Sequence, residues 1–137
     1  MYINSKKLAL SNKDLKKELD KLWADLVKEK AGHECEKCRK KDYLNSHHIY
    51  SRTNYSVRWD ESNGCCLCAG CHTLTNTSAH KSPLDFMEWI RAKRGETWYK
   101  TLQLKANTVT KNDKKLLKLY LEIELQKQKD KNLNKRI

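Results

Sequence analysis

The chain reads as an α+β protein: a short β-hairpin running into a helix, held by a four-cysteine zinc staple, with flanking helices at both ends. Three observations predict this. Two CxxC pairs, Cys35-Glu36-Lys37-Cys38 and Cys68-Ala69-Gly70-Cys71, bracket the middle of the sequence. Between them, Tyr43 to Ile49 and Cys65 to Leu67 have the length and residue types of short strands. Outside them, apolar residues recur at helical spacing behind capping boxes. One domain spanning 1–137 results, with an N-terminal helical part (1–32), a stapled core (33–80) and C-terminal helices (81–137).

Each element has its own reason. Ser11-Asn12-Lys13-Asp14 is a capping box, and Leu15, Leu19, Leu22, Trp23, Leu26 and Val27 follow at helical spacing, predicting a helix from about Asn12 to Ala31. Gly32 stops it. A CxxC places two thiolates on one tight turn, and two such turns supply the four soft ligands of a closed tetrahedral zinc site: Cys35, Cys38, Cys68 and Cys71. Redox chemistry would need only one pair, and no thioredoxin-like βαβ pattern surrounds either. Cys65 and Cys66 fall outside the spacing and read as strand residues, one of them buried.

The polar stretch Tyr50 to Ser62 has the length of an irregular connection, and Asn63-Gly64 offers the turn chemistry to enter the second strand. After Cys71 a helix carries His72. Ser82-Pro83-Leu84-Asp85 is a second capping box with Pro at the first helical position; Phe86, Trp89 and Ile90 form the apolar face and Gly95 ends the helix. Glu96 to Ala106 is a short helix with Trp98, Leu102 and Leu104. Thr110-Lys111-Asn112-Asp113 caps the last one, and from Gln126 a Lys-rich tail is expected to fray.

Charge and composition narrow the function classes. The 137 residues carry 29 Lys and Arg against 17 Asp and Glu, a formal net charge of +12, which suits a polyanion because each neutralised phosphate releases a condensed counterion. Six cysteines are enough for a disulfide framework. However, Met1 to Leu10 carries Lys6 and Lys7 among few apolar residues and lacks a signal pattern, so a reducing, cytoplasmic setting is expected. No apolar run approaches the roughly 20 residues of a membrane span.

The histidines add the chemistry. His47-His48-Ile49, then Asn63, then His72 directly after Cys71 stand in fixed order between the two knuckles. This constellation resembles the HNH endonucleases, the ββα-metal or His-Me finger nucleases, over about Cys35 to His80. The small size, basic tail and lone unit resemble phage-encoded members, which would act in a host cytosol.

The resemblance implies a role for each residue. His48 is the general base, a neutral imidazole that can take a proton from water at physiological pH. His47 and His72 hold a catalytic divalent ion. Asn63 ties down the loop between the strands and so holds the base. The family pattern is departed from at Asn76, where many members carry a further His; on the face of a helix shared with His72, Asn76 can be the third ligand. His80 can contact phosphate instead. An Asn and water shell would favour magnesium or manganese, and more imidazoles zinc or nickel.

Adjacent residues on a regular strand point to opposite faces, so His47 and His48 are expected on different sides of theirs. Arg52, Arg58, Lys81, Arg91, Lys93 and Arg94 are candidate phosphate contacts that would position DNA without reading its sequence. Two functions of different class follow: a metal-dependent DNA endonuclease, nicking or cutting both strands, or a zinc-stapled nucleic-acid-binding module without catalysis.

Overall fold

In the computed structural model, which describes residues 10–136, Ser11 opens the first helix in the way its capping box predicts. Its Oγ accepts from the Asp14 N–H at 3.1 Å and donates to the Asp14 carboxylate at 2.7 Å. The expectation resting on Lys6 and Lys7 lies outside the described residues. Helix α1 (Asn12–Lys30) ends at Gly32, whose φ of +68° is open to glycine at no steric cost. Leu15, Leu19, Trp23, Leu26 and Val27 form its buried face, and each fully buried Leu contributes ~2 kcal/mol.

Strands β1 (Leu44–His48) and β2 (Gly64–Cys68) pair antiparallel, with His47 opposite Cys65 and His48 opposite Gly64. A single 3₁₀ turn, Glu61–Asn63, leads into β2, and a single π turn, Gly70–Leu74, follows it. Helices α2 (Pro83–Arg94), α3 (Glu96–Ala106) and α4 (Lys114–Lys135) complete the described α+β architecture. No helix among the described residues is long and apolar enough to cross a membrane.

The sheet is sandwiched because β2 is buried on both faces. Cys66 faces α1 and α4 in a cluster with Leu19, Trp23, Leu26, Trp59, Leu121 and Leu125; Leu67 and Cys65 belong to a second cluster, with Phe86 and Ile90 of α2. Cys65 and Cys66 are therefore both buried, where one was expected. Burial pushes both thiols up, Cys66 to about 11, so they remain neutral.

Gly64 serves packing rather than the turn expected of it. Its φ is −112°, within ordinary extended backbone, but a Cβ there would lie 2.3 Å from Val27 Cγ2. Only a residue without Cβ lets α1 approach β2 this closely. We expect Gly64→Ala to destabilise the fold by ~2 kcal/mol through overpacking, measured as a lowered urea midpoint with an unchanged denaturant slope.

Three local expectations are corrected. The last helix is capped by Asp113, which accepts from Lys115 N–H at 3.1 Å and Leu116 N–H at 3.2 Å, and not by Thr110. Ser82 makes no side-chain bond to the backbone of α2; its hydroxyl donates to Asp85. The segment from Gln126 does not fray, since α4 continues to Lys135. Leu125 is buried there, and the Asn132 amide donates to the Glu29 carbonyl and carboxylate, both at 2.8 Å.

Candidate functional site

The two knuckles meet because β2 carries one and docks the other. Glu36 donates its N–H to the Cys66 carbonyl at 2.9 Å, and its carboxylate accepts from the Cys66 N–H at 2.7 Å, so the Cys35–Cys38 turn is pinned to β2 at Cys66. The sulfurs of Cys35, Cys38, Cys68 and Cys71 all lie within 4.8 Å of one another, with Cys38 and Cys68 3.5 Å apart. Four thiols at that spacing can hold a zinc ion. Burial raises the Cys35 thiol, but backbone N–H groups of Cys38, Cys68 and Lys37 outweigh it and bring the group to about 7. Burial and then the neighbouring thiols push Cys71 up. The cluster thus resists holding four negative charges until a cation is present.

The π turn ends at Leu74, with Thr75 extended at ψ 159°, so the helix that would have carried Asn76 under His72 does not exist. Asn76 lies in an exposed turn. The chain instead doubles back: Ala79 N–H reaches the Cys71 carbonyl at 2.8 Å and His80 N–H reaches that of His72 at 3.1 Å. This return brings His80 to His72, their Nε2 atoms 3.0 Å apart.

His47, His72 and His80 each offer a ring nitrogen within 4.8 Å of the others, and these three are positioned to bind a metal ion. Phe86 of α2 packs edge-on against His47, centroids 5.0 Å apart, and fixes its ring from behind. Burial, and then the nearby His72 and His80, bring His47 down to about 3; burial and His80 lower His72. Both are therefore neutral and able to donate a lone pair at pH 7.

His48 points the other way, as alternation along β1 requires. Its ring stacks on the Trp23 indole of α1 at 3.8 Å and 11°. Its Nε2 lies 2.9 Å from the Arg58 carbonyl; a carbonyl can only accept, so Nε2 carries the proton and Nδ1 holds the lone pair. Burial lowers its pKa, with the Arg58 carbonyl and Asp20 opposing and the Arg58 and Arg52 charges adding to the effect.

The loop that presents this carbonyl is held by Asn63, which is fully buried. Its amide donates to the Tyr50 and Val57 carbonyls at 3.0 and 3.1 Å, and its oxygen accepts from the Tyr50 N–H at 2.7 Å. Trp23 Nε1 adds a bond to the Asp60 carbonyl at 2.7 Å. Asn63 is thus a loop anchor, out of reach of the histidine cluster by its own engagement.

Of the six candidate phosphate contacts, two have their guanidinium groups engaged within the protein. Arg58 is 7% exposed, its guanidinium forked on Asp20 at 3.0 and 2.8 Å. Arg94 binds Glu36 at 3.0 Å and the Gly64 carbonyl at 2.8 Å, clamping α2 to the first knuckle. Lys93 spends its ammonium on the Glu36 carbonyl at 2.8 Å, and Arg91 pairs with Glu96. Arg52 is exposed beside His48, and Lys81 is exposed beside the histidine cluster with its ammonium 3.1 Å from the Leu74 carbonyl.

Of the two candidates that the sequence offers beside the motif, Asn76 and His80, it is His80 that meets His47 and His72. The run Thr75-Asn76-Thr77-Ser78, of residues that compete with the helical backbone, ends the helix and removes the i+4 argument for Asn76. Trp23 reads as core in the sequence, and nothing local specifies that its face meets a histidine. No family model matches the chain, and no curated protein and no solved structure matches it.

Proposed function

We propose that the chain is a metal-dependent endonuclease that hydrolyses DNA phosphodiester bonds. The observation that carries this reading is the division of labour across β1. Three imidazoles converge on one face, and a fourth on the other keeps one nitrogen unspent. His47, His72 and His80 would hold a divalent ion, which would supply Lewis-acid charge for the phosphate and the departing 3′ oxygen. His48 Nδ1 takes a proton from water as the oxygen attacks phosphorus; the P–O3′ bond breaks and the departing 3′ oxygen takes a proton from solvent, leaving a 5′-phosphate and a 3′-hydroxyl. Trp23 and the Arg58 carbonyl hold that ring in one orientation, and Asn63 holds the loop that carries the carbonyl. Arg52 and Lys81, both exposed, are the cations this reading assigns to the flanking phosphates.

The donor set revises the expected ion. Three imidazoles without a carboxylate or amide favour zinc or nickel over the magnesium or manganese that an Asn ligand would suit. His80→Ala should therefore weaken the second, looser metal site by more than the ~10–100-fold that loss of even an outer partner costs, while Asn76→Ala leaves it unchanged. Calorimetric titration of the zinc-stapled protein checks both.

The function itself is tested by incubating supercoiled plasmid with the protein in Mg²⁺, Mn²⁺, Ni²⁺ or Zn²⁺. Nicked or linear product in at least one metal, lost in His47→Ala and His72→Ala, is expected. Intact plasmid in every metal, together with salt-sensitive DNA binding that survives both substitutions, would instead establish the stapled binding module.

A further inference from the structure

Helix α4 buries one face and leaves another apolar and bare. Leu121 and Leu125 pack into the core against α1, and Lys118 pairs with Glu18 at 2.9 Å. On the outer side Leu116, Leu119, Tyr120 and Ile123 follow at helical spacing and are 64%, 53%, 47% and 46% exposed. A stripe of this kind, two turns long, holds apolar surface in water at a cost that a partner would remove.

We infer that this face of α4 is a self-complementary surface that joins two copies of the chain as an antiparallel pair about a twofold axis beside Leu119. The charges at its edge select that occupant. Lys115 and Glu122, two turns apart, stand on the same flank of the stripe, next to Leu119, and both are exposed, Glu122 with only a long 3.6 Å contact to Lys118. When a second copy of α4 is laid antiparallel across the first, Leu116 of one meets Ile123 of the other, and Lys115 of each faces Glu122 of the other. Two opposite-charge contacts arise from a single pair of residues, which is the property of an isologous interface. The patch is small, so the dimer is weak and concentration-dependent. The inference stands independently of any nuclease activity, because no site residue takes part.

A charge exchange tests it. Sedimentation equilibrium of the full zinc-loaded chain should show a monomer–dimer equilibrium. Lys115→Glu alone and Glu122→Lys alone each place like charges at both contacts and should weaken dimerisation ~10-fold or more, while the double variant restores it to within ~3-fold of wild type. Leu119→Glu should abolish it, with an unchanged circular dichroism spectrum confirming that the exposed substitution left the fold intact. A wild-type chain still monomeric at ~0.5 mM overturns the inference, and so does a dimer indifferent to the exchanged charges.

Discussion

Stripping the ion from Cys35, Cys38, Cys68 and Cys71, by chelation or by Cys35→Ser with Cys71→Ser, is expected to unfold the hairpin core and lower the thermal midpoint by at least ~15 °C. The core around the hairpin is thin. On the α2 side it consists of Leu67, Phe86, Ile90 and Ala79 together with the cysteines themselves. The sulfurs crowd within 4.8 Å, an arrangement that favours protonation or dispersal when no cation neutralises them. A structural zinc is worth ~10–16 kcal/mol in small fingers, as much as the whole net stability of a typical domain. The pair of helices α1 and α4 has its own cluster, with Leu19, Leu26, Leu121 and Leu125, so part of the helical signal should survive. Near-ultraviolet circular dichroism during chelation reads the effect: aromatic signals collapse while far-ultraviolet ellipticity falls only in part. Identical melting with and without zinc would contradict a stabilising role for the staple.

His48→Ala is expected to lower the cleavage rate ~10²–10⁴-fold, the range that a positioned general base contributes, without loosening either metal site. The two halves of that expectation separate His48 from its neighbour. His47 shares a face of β1 with His72 and His80, whereas His48 lies against Trp23 with its Nε2 spent on the Arg58 carbonyl at 2.9 Å. His47→Ala should therefore lose the second ion and the rate together. Single-turnover cleavage of a plasmid, paired with metal titration of each variant, resolves the two losses. A His48→Ala protein that cuts at the wild-type rate would remove the imidazole from the chemistry.

Much of this was legible in the chain because short-range chemistry decided it. The CxxC spacing, the Ser11 cap, the stop at Gly32 and the opposed faces of His47 and His48 all follow from one or two turns of backbone. What the sequence does not reveal is decided at longer range. The case for Asn76 as a ligand needs a regular helix after Cys71, and the π turn ends at Leu74. Arg58 and Arg94 read as free cations because Asp20 and Glu36, their partners, are distant in sequence. The tail after Gln126 reads as solvated, yet Glu29 is there to receive Asn132. Gly64 reads as a turn residue, and its function appears only when α1 lies across it.

Anomalous diffraction recorded at the zinc and nickel edges, from a crystal grown with zinc and soaked in Ni²⁺, tests the arrangement of the whole site at once. The account predicts a zinc peak among the four sulfurs and a nickel peak among the rings of residues 47, 72 and 80, with the ring of residue 48 bound to neither. A nickel ion ligated by residue 48, or no density between the other three imidazoles, would contradict it.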